Sequence, residues 1–169
     1  MTDNYKRTKE WLNLAFSNIE RVIRNYKEKD YSICVYLIQL SVEQVQKAII
    51  FLLGLQFRKT HEPSKILESI EFNENIQLGK EILEKIKSIA LLAKDIESEG
   101  TDTRYGKIFN NKLITPEDRY DKKEAEKYLN DLENILSIVK DLLSKISDFA
   151  DESTVLSNLL KIITDMITK

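Results

Sequence analysis

The chain has 169 residues, 42% hydrophobic and 32% charged, with only four Gly and two Pro. That is long enough for one domain burying roughly 70% of its unfolded surface, and too poor in turn residues for a sheet protein. A formal net charge of −2 argues against broad, sequence-blind binding to DNA or RNA, which needs a large positive field. Cys34 is the single cysteine, which excludes an internal disulfide or a cysteine-cluster metal site.

Helix one is expected over residues 4–27, where Trp11, Ala15, Ile19, Val22 and Tyr26 recur at steps of three and four. Asp30 can cap helix two, expected to run to Gly54. Ile33, Leu37, Leu40, Val45, Ala48, Ile49 and Leu52 form one apolar face of it, and Val35, Ile38, Val42 and Phe51 a second. A helix apolar on two sides belongs in the middle of a bundle or at a subunit interface, so a homodimer is expected. Gln39, Glu43, Gln44, Gln46 and Lys47 interrupt the stretch and make it too polar for a membrane span. No signal-peptide core follows the first residues, and a cytoplasmic, soluble protein is expected.

Residues 56–61 read as a loop, and Pro63 fits the first turn of a short helix reaching Phe72. Helix four is expected over 74–97, with Ile82, Ile86, Ile89, Ala93 and Ile96 in phase. Residues 98–115 form the longest non-periodic segment. Thr115, Pro116, Glu117 and Asp118 then look like a helix start, with a Thr cap, Pro at the first position and acids in the first turn. Helix five should continue to Phe149, and a last helix should cover 153–168. The fold class is all-α: an antiparallel, up-down four-helix bundle over residues 1–150 with additional short helices. Residues 151–169 add a C-terminal helix, packed on the bundle or at a subunit interface.

Three features resemble the HEPN domain family. Trp11 and Ala15 open helix one, which ends in Tyr26 just before the second helix. Helix two carries Gln39, Glu43, Lys47 and Ala48 at steps of one turn, ends near Gly54 and is followed by His61. Thr103-Arg104-Tyr105 is similar to the family's Ser-Arg-Tyr-Pro, with Gly106 in place of Pro, and Gln44 stands where a Lys is usual. The resemblance covers about residues 9–143. It implies a bundle that dimerises, acts with a small nucleotidyltransferase partner in toxin–antitoxin pairs, and binds nucleotide or RNA.

Ribonuclease members use an Arg followed, after four to six residues, by a His. The His serves as acid or base on the ribose hydroxyl, and the Arg holds charge on the phosphate. Here His61 is the only histidine, and Gly54, Leu55 and Gln56 occupy the positions that would need Arg. Arg58 is too close to it, and no His follows Arg104. No catalytic residue, metal site or cofactor is therefore assigned. The leading reading is a non-catalytic binding module whose ligand-binding candidates are Arg104, Tyr105, His61, Glu43, Lys47 and Arg58. One alternative is a divergent RNA-cleaving toxin that combines His61 with Arg104, and another is a structural protein-interaction bundle.

Each candidate has a plainer role beside the functional one. Glu43 and Lys47 can form a stabilising pair one turn apart, and His61 can tie its loop to the bundle. Arg104 can grip phosphate beside a stacking Tyr105, or pin the loop to carboxylates. Tyr26, Tyr31 and Tyr36 read as packing residues with wet hydroxyls, and Cys34 as a buried, inert thiol.

Overall fold

A short reversal joins α1 (Asp3–Lys27) to α2 (Tyr31–Leu52), and the computed structural model describes these and the other elements over residues 3–55, 62–73 and 76–168. The stripe on α1 buries Leu12, Ala15, Ile19 and Val22. Asp30 caps α2 as expected, its carboxylate accepting from the Ile33 amide. Both apolar faces of α2 are used within one chain, because α1, α4 (Lys80–Ser98) and α7 (Lys122–Leu143) all pack against it. Val35, Leu37, Ile38, Val42, Val45 and Ala48 are buried by these neighbours. The two-sided apolar character of α2 thus has a cause inside the bundle.

By length and composition alone α2 is apolar enough to cross a membrane, with a mean hydropathy of 1.2 over its best window, contrary to the sequence expectation. That window is 72% buried in the bundle, as suits a core helix.

The long helices α1, α2, α4 and α7 form the all-α bundle, and α8 (Ala150–Ile167) is added to it. Leu156, Leu159 and Ile163 of α8 are buried, and the helix packs on α7 and α1. Tyr5 and Phe149 meet edge to face at 5.1 Å near its start. The segment after Pro63 divides into α3 (Ser64–Glu68) and a 3-10 turn (Ser69–Phe72). α4 starts at Lys80, later than expected, because residues 76–79 stay non-helical around the extended Gly79.

Residues 98–115 are not the plain loop that the missing periodicity suggests. They hold a single helical turn, α5 (Asp102–Tyr105), and a two-stranded hairpin, β1 (Lys107–Phe109) and β2 (Lys112–Ile114). The strands are antiparallel, with Ile108 opposite Leu113. Asn110 and Asn111 make the turn, both at positive φ (48° and 59°), as a two-residue hairpin of matching twist requires. Gly106 joins α5 to the hairpin at φ 72°, and a Cβ there would lie 2.2 Å from the Ile114 carbonyl oxygen. Proline, locked near −65°, cannot take that conformation, so the departure from Ser-Arg-Tyr-Pro follows from the hairpin.

The Thr115-Pro116 start is real, with the Thr115 hydroxyl accepting from the Asp118 amide, but α6 (Pro116–Arg119) lasts one turn. Tyr120 then turns extended, and Asp121 caps α7 by accepting from the Glu124 amide at 3.0 Å. The expected single helix to Phe149 is therefore three pieces: α6, α7 and a 3-10 turn over Ser147–Phe149.

Glu99 holds this region together. Its carboxylate accepts from the Tyr120 hydroxyl at 2.8 Å, from the Tyr128 hydroxyl at 2.7 Å, and from Arg119, which also reaches Asp102 at 3.0 Å. Burial, followed by this carboxylate, pushes both tyrosine hydroxyls well above their ordinary range. Removing one partner of such a cluster strands the others in a dry environment. Glu99→Ala should therefore cost about 3 kcal/mol and lower the melting temperature by roughly 10 °C, measured by calorimetry, while helix content below the transition stays unchanged.

Candidate functional site

A cleft of about 420 Å³ opens between α2, the end of α4 and α5. Arg104, Tyr36, Gln39, Glu43, Glu62 and Glu97 line it. The cleft exists because α2 and α5 are tied together by one amide. Gln39 Nε2 donates to the Gly100 carbonyl at 2.8 Å and to Ile96 at 3.3 Å, and Gln39 Oε1 accepts from the Thr103 hydroxyl at 2.6 Å. Thr103 is buried, so its neighbour Arg104 is fixed from behind while its own side chain stays exposed. The Arg104 guanidinium lies 5.9 Å from the Tyr36 ring centre and 5.7 Å from that of Tyr105. Among the described residues, no carboxylate pairs with it. A guanidinium left without a carboxylate can take a phosphate or carboxylate in a forked contact.

The acids around it are already engaged. Glu97 accepts from Gln46 Nε2 at 2.7 Å, from the Ser64 amide at 3.2 Å and from the Ser64 hydroxyl. Burial raises its pKa above the ordinary carboxylate value, and those hydrogen bonds oppose the shift. Glu43 pairs with Lys47 one turn along α2, and the Lys47 ammonium lies 4.9 Å from the Trp11 ring centre. Glu62 pairs with Lys65 at 2.6 Å.

Of the residues singled out in the sequence, Arg104, Glu43, Gln39 and Tyr36 share the cleft, and Glu62, which the sequence did not mark, joins them. Lys47 points into the bundle toward Trp11 and is buried. Tyr105 is 70% exposed beside Arg104. Arg58 and His61 lie outside the described residues; in the chain, His61 immediately precedes Glu62. Tyr36, read as a packing residue, is the second ring beneath Arg104. Glu97 and Glu99 carried no sequence signal, since isolated acids on a helix look solvated. Gln44 is buried where the family has Lys, and accepts from Asn18 Nδ2 at 3.0 Å. Cys34 is buried, donates to the Val22 carbonyl at 3.2 Å, and has its thiol pushed up to about 12 by burial. Among the described residues, no group of His, Cys, Asp and Glu is placed to hold a metal ion.

A helical bundle with an arginine on a short turn before its last long helix, facing a central helix of spaced Gln, Glu and Lys, defines a class of helical domain. The chain belongs to the HEPN domain family, whose pattern matches residues 8–142. It is similar to a Methanocaldococcus jannaschii protein named "Putative toxin MJ1304", 28% identical over 142 residues, which cover 84% of this chain and 91% of that protein. No solved structure gives a significant match.

Glu97 gives the cleft a pH signature. The folded protein holds the Glu97 proton more tightly than the unfolded chain, whose reference value is 4.5. Its contribution to stability is then greatest below that value and is lost as pH rises through the elevated one. Glu97→Gln should remove this component. Chemical unfolding from pH 4 to 7 should show the parent losing stability relative to the variant across that window, and parallel curves would contradict the assignment.

Proposed function

We propose that the protein is an RNA-cleaving toxin of the HEPN family, with Arg104 and His61 as its working pair. The observation that carries this reading is the open guanidinium of Arg104 in a cleft also lined by Glu62, the residue after the only histidine. The relationship to the M. jannaschii protein supports the toxin class. In this reading Arg104 grips the scissile phosphate and holds the charge that develops there. His61 takes the proton from the ribose hydroxyl that attacks phosphorus, or gives one to the leaving oxygen. Tyr105 and Tyr36 offer rings on which an unpaired base can stack. The usual Arg-to-His spacing is absent, so the two groups come from segments far apart in the chain.

A second reading keeps the same surface without the chemistry: a non-catalytic module that binds a nucleotidyltransferase-type partner. Glu43, Glu62 and Glu97 around the cleft favour it, because acids repel an RNA backbone. Incubating purified protein with single-stranded and structured RNA separates the two. The first reading expects cleavage that falls at least 100-fold in both Arg104→Ala and His61→Ala, each folded as judged by circular dichroism. Intact RNA under the same conditions would overturn it in favour of the partner-binding module.

A further inference from the structure

The hairpin after α5 leaves apolar side chains in water on both of its faces. Ile108 is 73% exposed, Phe109 59% and Leu113 54%. Alternation along the paired strands puts Ile108 and Leu113 on one face, and Lys107, Phe109 and Lys112 on the other. One face is therefore apolar and uncharged, while the other carries two ammonium groups. No acid lies between Asp102 and Glu117, in a chain that has 28 acids among 169 residues. Asp102 itself is held by Arg119 at 3.0 Å. Among the described residues, neither Lys107 nor Lys112 pairs with a carboxylate.

The backbone of the hairpin is open as well. Its two-residue turn, Asn110-Asn111, makes Phe109 and Lys112 the pair that exchanges ladder bonds. Ile108 and Leu113 then form the next pair, whose N–H and C=O groups point away from the partner strand. β1 is exposed along its whole length, whereas β2 ends in the half-buried Ile114, so the edge of β1 is the accessible one. A hairpin of two strands is only marginally stable in water, and a third strand completing an apolar face is what such a ribbon lacks. The ribbon is also this chain's own feature. It depends on Gly106 at φ 72°, where the Ser-Arg-Tyr-Pro pattern has proline.

We propose that β1 takes a third, antiparallel strand from a partner protein, an extended segment that alternates apolar and acidic side chains. Its apolar residues extend the face of Ile108 and Leu113, and its acids meet Lys107, with Lys112 behind it. A residue directly opposite Ile108 exchanges both main-chain bonds with it and shares its face, so that residue is an apolar one. A second copy of this chain is a poor occupant, because β1 against β1 sets lysine toward lysine, a common device against self-pairing. A lipid surface fits poorly too, since the polar Asn110-Asn111 tip would enter first and the open edge would stay unpaired. RNA would find cations here, but Ile108 and Leu113 offer it no ring to stack on. The edge is separate from the chemistry at Arg104 and serves whether or not RNA is cleaved there.

Fluorescence anisotropy of the full chain, titrated against a labelled peptide of about ten residues alternating Glu and Val, tests the pairing. Saturable binding should weaken about tenfold in Lys107→Glu and in Ile108→Thr, with the melting temperature of both variants unchanged. The peptide itself carries the test that no protein variant can confound. Methylating the backbone nitrogens of its valines should abolish binding, while methylating those of its glutamates should leave it intact. Equal tolerance of the two methylations, or equal binding of a peptide with Lys in place of Glu, would overturn the strand assignment. No saturable binding at millimolar peptide, or binding unchanged in both protein variants, would overturn the site. Tighter binding of oligoadenylate or of phosphatidylserine vesicles than of the peptide, lost in Lys107→Glu, would overturn it in favour of RNA or a membrane.

Discussion

A helix buried on almost every side must satisfy its polar side chains inside the protein, and α2 imposes that constraint on everything around it. Its polar residues are not spread at random. Gln39 binds the backbone at the end of α4 and the Thr103 hydroxyl, Gln44 binds Asn18 of α1, and Gln46 binds Glu97 of α4. Apolar packing alone would tolerate sliding of one helix along another, whereas directional bonds at three places along α2 specify where α1 and α4 must stop. The cleft follows from the same bonds, because the amide of Gln39 fixes the turn that carries Arg104.

The segment between α4 and α7 shows how a guanidinium is kept available in an acid-rich protein. Two arginines sit within sixteen positions of each other and meet opposite fates. Arg119 is claimed by Glu99 and Asp102 and serves to anchor. Arg104, on the one-turn helix before the hairpin, is held only by ring contacts among the described residues. Glu99 could compete for any cation nearby, but Arg119 and two tyrosine hydroxyls occupy it. Glu97 is similarly occupied by Gln46 and Ser64. Carboxylates that are already occupied leave the neighbouring cation unclaimed.

Periodicity alone specified the long helices, because burial of one stripe leaves a repeat of three and four that sequence displays directly. The Asp30 cap and the Thr115-Pro116 start were equally legible, being local chemistry between residues three apart. The family was legible through spaced residues such as Gln39, Glu43, Lys47 and Thr103-Arg104-Tyr105. Where α6 stops was not legible, because Tyr120 leaves the helix to reach Glu99, a partner 21 positions away. The hairpin escaped notice because its residues Ile108, Phe109 and Leu113 are exposed and show no buried alternation. Which arginine stays open, and which acids are spent, depends on contacts between helices brought together only by packing. Local pattern thus determined the elements and the family, while the availability of each charge was decided by the tertiary structure, since charge pairing depends on distance in space and not along the chain.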